Sequence, residues 1–283
     1  MVKYRPSQKI ISLNSKLAPR ENATFLHKNE HSGDASRLIA VTSGKGGVGK
    51  TNIVANLGYV LSMLGREVLI LDADLGLGNL DVLLGLAPKY NISHVIMGQK
   101  TIPEITMEGP GNMKILPASS GVQELTQLTE DQKSRILSEL DEIAKGADIF
   151  LIDTPAGIST NVTYFNLAAN EIIVVVSPEP TSITDAYALM KILSIKYQQK
   201  EFLLLVNMVS DNQEGLEIYN QLDKVAKKFL DISLKYFGFV AFDKNIIRCV
   251  KKQKIVSQAY PTSEATRCFE FLGKKLCSNI TEN

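Results

Sequence analysis

Residues Gly44 to Thr51 read GKGGVGKT and satisfy the phosphate-binding pattern G-x-x-x-x-G-K-[ST]. The pattern constrains the fold because it works in one setting: a loop that leaves a buried strand and opens a helix. Glycine at Gly44, Gly46, Gly47 and Gly49 bares backbone N–H groups on which a polyphosphate can sit without meeting a Cβ. Val48 lies within the same cradle. Lys50 supplies charge for the β- and γ-phosphates, and the Thr51 hydroxyl is a magnesium ligand. The helix they open, with Asn52 in its first turn, points its positive end at the anion. A second lysine, Lys45, stands inside the loop, where Lys50 already serves.

Both flanks fit. Leu38-Ile39-Ala40-Val41-Thr42-Ser43 is a short apolar run of the buried-strand type. After the loop, Ile53, Asn56, Leu57, Val60, Leu61 and Leu64 recur at helical spacing. The rest of the chain alternates in the same way. Glu67–Leu71, Met113–Leu116, Asp148–Ile152, Ile172–Ser177, Phe202–Val206 and Phe237–Ala241 are strand candidates. Thr129-Glu130-Asp131-Gln132 is a capping box ahead of Ile136, Leu137, Leu140 and Ile143. Leu216, Tyr219, Leu222, Val225, Ala226 and Phe229 form another stripe. Nearly continuous apolar strands between helices predict an α/β fold: a mainly parallel central sheet covered by helices on both faces. Its ligand belongs at the carboxyl ends of the strands.

Composition bounds the function. The 283 residues are 45% hydrophobic with net charge +1, enough for a full core and too neutral for a dominant nucleic-acid binder. Cys249, Cys268 and Cys277 are widely spaced and suit neither a disulfide framework nor a zinc motif, so the chain reads as cytoplasmic. No apolar run approaches the ~20 residues of a membrane span. Residues 1–36 read as a disordered basic leader, with a segment that folds on a partner as the rival reading. Residues 37–283 read as one domain.

Acidic residues follow two of the strands. Asp72-Ala73-Asp74-Leu75-Gly76 comes after the first, Asp153-Thr154-Pro155-Ala156-Gly157 after the second. Magnesium keeps several waters, so Thr51 with one or two carboxylates suffices. Thr51 is assigned as the direct ligand, Asp153 as magnesium-side through water, and Asp72 as the second carboxylate. Asp74 is the candidate to orient the attacking water, although Asp-Leu-Gly is also good turn chemistry. Ala156 and Gly157 are small enough for close approach to a γ-phosphate. For the base, Asn207 offers a donor and an acceptor at a strand end. Pro178 offers a flat apolar wall, and Phe242-Asp243 closes the far side, with core packing as the rival for Phe242.

VTSGKGGVGKTN at 41–52, LDADLGLGNLDVLLGL at 71–86, ILPASSG at 115–121, IDTPAGI at 152–158, EPTSITDAYALMK at 179–191 and VNM at 206–208 together resemble the MinD/ParA-type deviant phosphate-loop ATPases. Within these, NLDVLLGL and EPTSITDAYALMK resemble the flagellar-number regulators of the FlhG/FleN type. The resemblance implies slow ATP hydrolysis with Mg2+ and an ATP-dependent homodimer in which Lys45 reaches the partner's nucleotide. It also implies negative control of flagellar gene expression and number through a flagellar σ54-dependent, FleQ-like activator. The GTPase FlhF is a further implied partner, although the leader lacks a DQAxxLR-like string. The expectation is a cytoplasmic protein without specific DNA binding, with peripheral contact at the inner membrane or cell pole left open. Phe269, Phe271, Lys274 and Lys275 keep membrane contact open, against a last helix docked through Ala265, Cys268, Leu272 and Leu276. A MinD-type division-site regulator and a ParA-type partition ATPase are the alternatives.

Overall fold

The computed structural model describes residues 36–118 and 143–278, with residues 129, 131, 132, 136, 139 and 140 between them. The expected leader and the segment from Ser119 to Gly121 lie outside the described residues. Eight strands form one sheet: β1 (Arg37–Ser43), β2 (Val68–Asp72), β3 (Met107–Glu108), β4 (Lys114–Leu116), β5 (Ile149–Ala156), β6 (Glu171–Val176), β7 (Glu201–Val209) and β8 (Ser233–Ala241). Their order is β3-β4-β2-β5-β1-β6-β7-β8. All pairings are parallel except β3 with β4.

The labelled helices are α1 (Lys50–Met63), α2 (Leu80–Leu84), α3 (Ile92–Ile96), α4 (Ile102–Ile105), α5 (Thr160–Ala168), α6 (Pro180–Tyr197), α7 (Asn212–Leu230), α8 (Lys244–Lys251), α9 (Val256–Ala259) and α10 (Glu264–Ser278). Strand residues alternate between two covering layers, as a pleat of period two requires. Ile39, Val41, Ile70 and Leu151 pack with α1 and α10. Leu38, Ala40, Leu71 and Ile152 pack on the opposite face with α3, α4 and α5. Ile172, Val174 and Val176 continue that face under α6 and α7. The expected parallel sheet covered on both faces is therefore the observed one.

The strands are longer than expected at the end that carries the site. β2 includes Asp72, and β5 runs on through Asp153, Thr154, Pro155 and Ala156. Backbone pairing with β1 holds this polar stretch in the sheet: Asp153 opposes Val41 and Ala156 opposes Ser43. The capping box forms: Thr129 and Gln132 exchange hydrogen bonds at 2.9 and 3.3 Å, and Ile136 and Leu140 are buried beyond it.

Two helical stripes need correction. On α7 the buried line is Ile218, Leu222, Ala226 and Leu230, which leaves Val225 and Phe229 exposed. Leu222 and Ala226 belong to both lines, so rotating the helix slightly exchanges the outer members. On α10 Ala265, Cys268, Leu272 and Leu276 are buried as expected, but so is Phe269. Lys275 donates to the carbonyls of Tyr236 and Phe237 at 3.1 and 3.0 Å on the edge strand β8. The pattern that left membrane contact open thus keeps only Phe271 and Lys274 at the surface.

One close approach fixes the phosphate loop against its neighbour. A Cβ on Gly44 would lie 2.1 Å from the Asp185 carbonyl oxygen in α6. Backbone cannot yield there as a side-chain tip would. Gly44→Ala should destabilise the fold by about 2 kcal/mol or more through overpacking, read as a lowered urea midpoint with an unchanged m-value. A midpoint equal to that of the unaltered protein would mean that loop and helix are not held this tightly.

Candidate functional site

The loop from Gly44 to Gly49 leaves β1 and opens α1, between the carboxyl ends of β5 and β6. Gly47 and Gly49 have φ of 82° and 90°, in the region where a Cβ is strained. At Gly49 a Cβ would also meet the Asn207 amide nitrogen at 2.4 Å. A Cβ on Gly46 would make an ordinary contact with the Ala156 methyl, at 3.9 Å. Val48 is buried beneath the loop, and Asn52 in α1 accepts a bond from Asn56 at its carbonyl, 2.8 Å.

The two lysines have opposite environments. Lys50 is buried, with its ammonium 2.8 Å from the Ser43 hydroxyl. Burial lowers its pKa, and the charges of Asp153 and Asp74 oppose that shift. Ser43 in turn donates to the Lys45 carbonyl at 2.7 Å, so the hydroxyl links the buried cation to the loop backbone. Sequence reasoning passed over Ser43, although its place just before the loop was visible. The Lys45 side chain is partly exposed and bends back onto Glu179 and Thr181 at the start of α6.

The carboxylates divide their work. Asp72 is buried and accepts from three backbone N–H groups: Asp74 at 3.1 Å, Asn79 at 3.0 Å and Leu80 at 3.1 Å. It shapes the whole loop from Asp74 into α2. Burial and the Asp153 charge hold its carboxyl above the usual range, against the bonds from Leu80 and Asp74. Asp74 is half-buried and accepts from Leu77 N–H at 3.3 Å, so it does carry the turn chemistry noted above. It also lies close enough to act electrostatically on both Lys50 and Asp153.

Asp153 is different. It is buried, and its Oδ1 has no hydrogen-bond partner. Burial raises its pKa, while a hydrogen bond from Thr51 and the Lys50 charge work the other way. An orphaned carboxylate oxygen beside a helix-opening threonine fits a magnesium ion that keeps most of its waters. Among the described residues no group of three or more His, Cys, Asp or Glu could hold a metal by itself. That suits magnesium, which shares its shell with water and phosphate. Gly157 has φ 97° and donates to the Ser43 carbonyl at 3.0 Å, tying the loop after β5 to the root of the phosphate loop.

On the other side, Asn207 is spent partly on the loop itself. Its amide nitrogen donates one N–H to the Val48 carbonyl at 2.8 Å. Asp243 caps α8 through Asn245 N–H at 2.8 Å and reaches Ala265 N–H at 3.4 Å. Pro178 is half-buried before α6, and Phe242 is exposed.

The AAA domain family profile matches residues 36–205. Antiactivator FleN of Pseudomonas aeruginosa is 43% identical over 242 residues, 86% of each chain. Flagellum site-determining protein YlxH of Helicobacter pylori is 34% identical over 246 residues, 87% of this chain and 83% of its own. Among solved structures, the cell division ATPase MinD of Pyrococcus furiosus superposes with a TM-score of 0.70 at 23% identity, covering 86% of this chain and 99% of its own. At that identity the superposition speaks for the fold alone.

Asp153→Asn should leave ATP affinity in EDTA within about threefold and remove a Mg2+-dependent gain of about tenfold or more, read by calorimetric titration with and without Mg2+. A full Mg2+ gain in the variant would take Asp153 out of the metal's surroundings.

Proposed function

The chain belongs to the AAA domain family and, within it, to the FleN-like phosphate-loop ATPases of MinD/ParA type, and from that premise we propose that it is a slow, dimerising ATP switch that holds down flagellar gene expression and flagellar number. The observation that carries the reading is the division of labour between the two lysines. Lys50 is fixed in the interior for the phosphates of its own subunit. Lys45 is a partly exposed cation held by Glu179 and Thr181, free to exchange them for a nucleotide across a two-fold interface. A cation supplied in trans to a phosphate is the logic of an arginine finger.

Each remaining part has one task in this reading. The N–H groups of Gly44 to Thr51 and the Lys50 ammonium bind the phosphates. Thr51 and Asp153 would hold Mg2+, which would offset phosphate charge. Asp72 sets the loop that presents Asp74, and Asp74 accepts a hydrogen bond from the attacking water. Asn207, with one N–H spent on Val48, borders the base as an amide that still carries a second N–H donor and an acceptor oxygen. Pro178 and Asp243 border the nucleoside as wall and rim. ATP then holds the dimer, and hydrolysis returns the subunits.

The output is a bound partner. A relative named as an antiactivator supports a flagellar σ54-dependent transcriptional activator in that role, with FlhF as a second candidate. The net charge of +1 weighs against direct, specific DNA binding. Among the described residues no helix is long and apolar enough to cross a membrane. A cytoplasmic protein, with peripheral attachment at the inner membrane or pole as the extension of this reading, is the proposal.

Lys45→Ala should stay monomeric with Mg2+·ATP by light scattering, where the unaltered chain doubles in mass. A variant that still dimerises would remove the trans role. Asp74→Ala should lower turnover by about a hundredfold or more while ATP affinity stays within about threefold. Equal losses in both would make Asp74 structural. For the biological reading, deleting the gene in its native cell should raise flagellar transcripts and flagella per cell, and unchanged counts would refute it.

A further inference from the structure

Asn166 in α5 is wholly out of water, at 0% exposure, on the side of the sheet where Leu38, Ala40 and Ile152 are covered. A buried amide is unfavourable unless its hydrogen bonds are made, and an apolar residue would fill the same place without that penalty. Both N–H groups of Asn166 are engaged. Its Nδ2 donates to the Val162 carbonyl at 2.7 Å within its own helix and to the Thr42 hydroxyl at 3.2 Å on β1. Its Oδ1 is buried and has no hydrogen-bond partner among the described residues. A buried amide kept half-satisfied calls for a reason, and packing does not supply one.

The reason lies in what the bond to Thr42 joins. The next residue is Ser43, to which three parts of the site return. Its hydroxyl meets the Lys50 ammonium at 2.8 Å and the Lys45 carbonyl at 2.7 Å, and its carbonyl accepts from Gly157 N–H at 3.0 Å. Only Ile158 and Ser159 separate Gly157 from α5, and Ser159 caps that helix by accepting from Val162 N–H at 3.4 Å. The loop after β5 is thus fastened at both ends to one dipeptide of β1. Gly157 reaches Ser43 directly, and α5 reaches Thr42 through Asn166. Ile158 between them is 52% exposed and does not anchor the loop in the core. The loop lies against the phosphate loop, since a Cβ on Gly46 would touch the Ala156 methyl.

We propose that Asn166 is a positioning residue for ATP hydrolysis: its bond to Thr42 fixes where α5 begins, and so where Ala156 and Gly157 stand against the γ-phosphate. Asn166 touches no reacting atom and acts through the loop. The Lys50 ammonium and the N–H groups of the phosphate loop bind the nucleotide whether or not α5 is held, so the effect falls on turnover more than on affinity. This inference rests on the reading of the site as an ATPase.

The test separates the bond from the packing. In the double variant Thr42→Val with Asn166→Leu both partners become apolar at nearly the same volume, a change that is close to neutral or stabilising for a fold. Its urea midpoint should equal or exceed that of the unaltered protein. Phosphate release from Mg2+·ATP should slow about fivefold or more, while ATP affinity by calorimetric titration stays within about threefold. Thr42→Ser keeps the hydroxyl and loses a buried methyl, so its midpoint should fall and its kcat stay within about twofold. Stability and turnover then move in opposite directions, which a merely structural bond would not allow. A kcat within about twofold of the unaltered value in the double variant would overturn the proposal. So would a kcat that falls in step with the midpoint in both variants. An unaltered protein that released no phosphate from ATP would instead refute the ATPase reading, and the proposal with it.

Discussion

Lys50 is an ammonium taken out of water, and the site is arranged around it. A buried cation is tolerated only with hydrogen bonds and countercharge at hand. Here the Ser43 hydroxyl lies within hydrogen-bond distance, and Asp153 and Asp74 supply the negative field. Those three groups come from β1, β5 and the loop after β2, neighbouring strands in the sheet order. The parallel sheet is therefore what makes the cation possible, because it delivers three chain segments to one end. Asp153 carries the reciprocal burden. Its Oδ1 is buried without a partner, so the site holds unmet demand for positive charge beyond what Lys50 offers.

The loop's glycines do not all serve the ligand. Gly44 is small because the backbone of α6 lies against it, and Gly49 because its φ and the Asn207 amide exclude a Cβ. A Cβ on Gly46 would make only an ordinary contact with the Ala156 methyl, and at Gly47 it would point into open space. This couples the loop to its flanks on both sides. On one side Gly44 and Lys45 touch α6 through Asp185, Glu179 and Thr181. On the β5 side Gly157 is bonded to Ser43, and on the β7 side Asn207 is bonded to Val48. A change in the loop thus has rigid neighbours to push against, which a switch requires.

What could be read from the sequence follows from how local each signal is. The phosphate loop was legible because its chemistry lies in eight consecutive residues and its context in the flanking apolar runs. The parallel sheet was legible because strands buried on both faces are written as continuous apolar stretches. Strand ends were not, since Asp153 to Ala156 are held in β5 by pairing with β1, which no local propensity reports. The two-residue strand β3 and the short helices α2, α3 and α4 carry too few residues for a period to show. On α7 the stripe was found but rotated, because Val225 and Phe229 are as apolar as the residues that are buried.

The candidate site was legible on the side of the phosphate loop and dim on the side proposed for the base. Asp72, Asp74 and Asp153 declare themselves as acids after apolar strands, although only the structure separates the loop-shaping Asp72 from Asp153 with its free oxygen. The base side depends on geometry that composition does not encode. Asn207 reads as a two-way hydrogen-bonding group, and only the structure shows that one of its N–H groups is spent on the Val48 carbonyl. Met208 reads as one more apolar residue until the bulge between β7 and β8 turns it outward. Phosphate chemistry is common to every chain with this loop and is written in motif. The bulge beside Asn207 arises where β7 and β8 fall out of register, a property of a strand pair that neither strand shows alone.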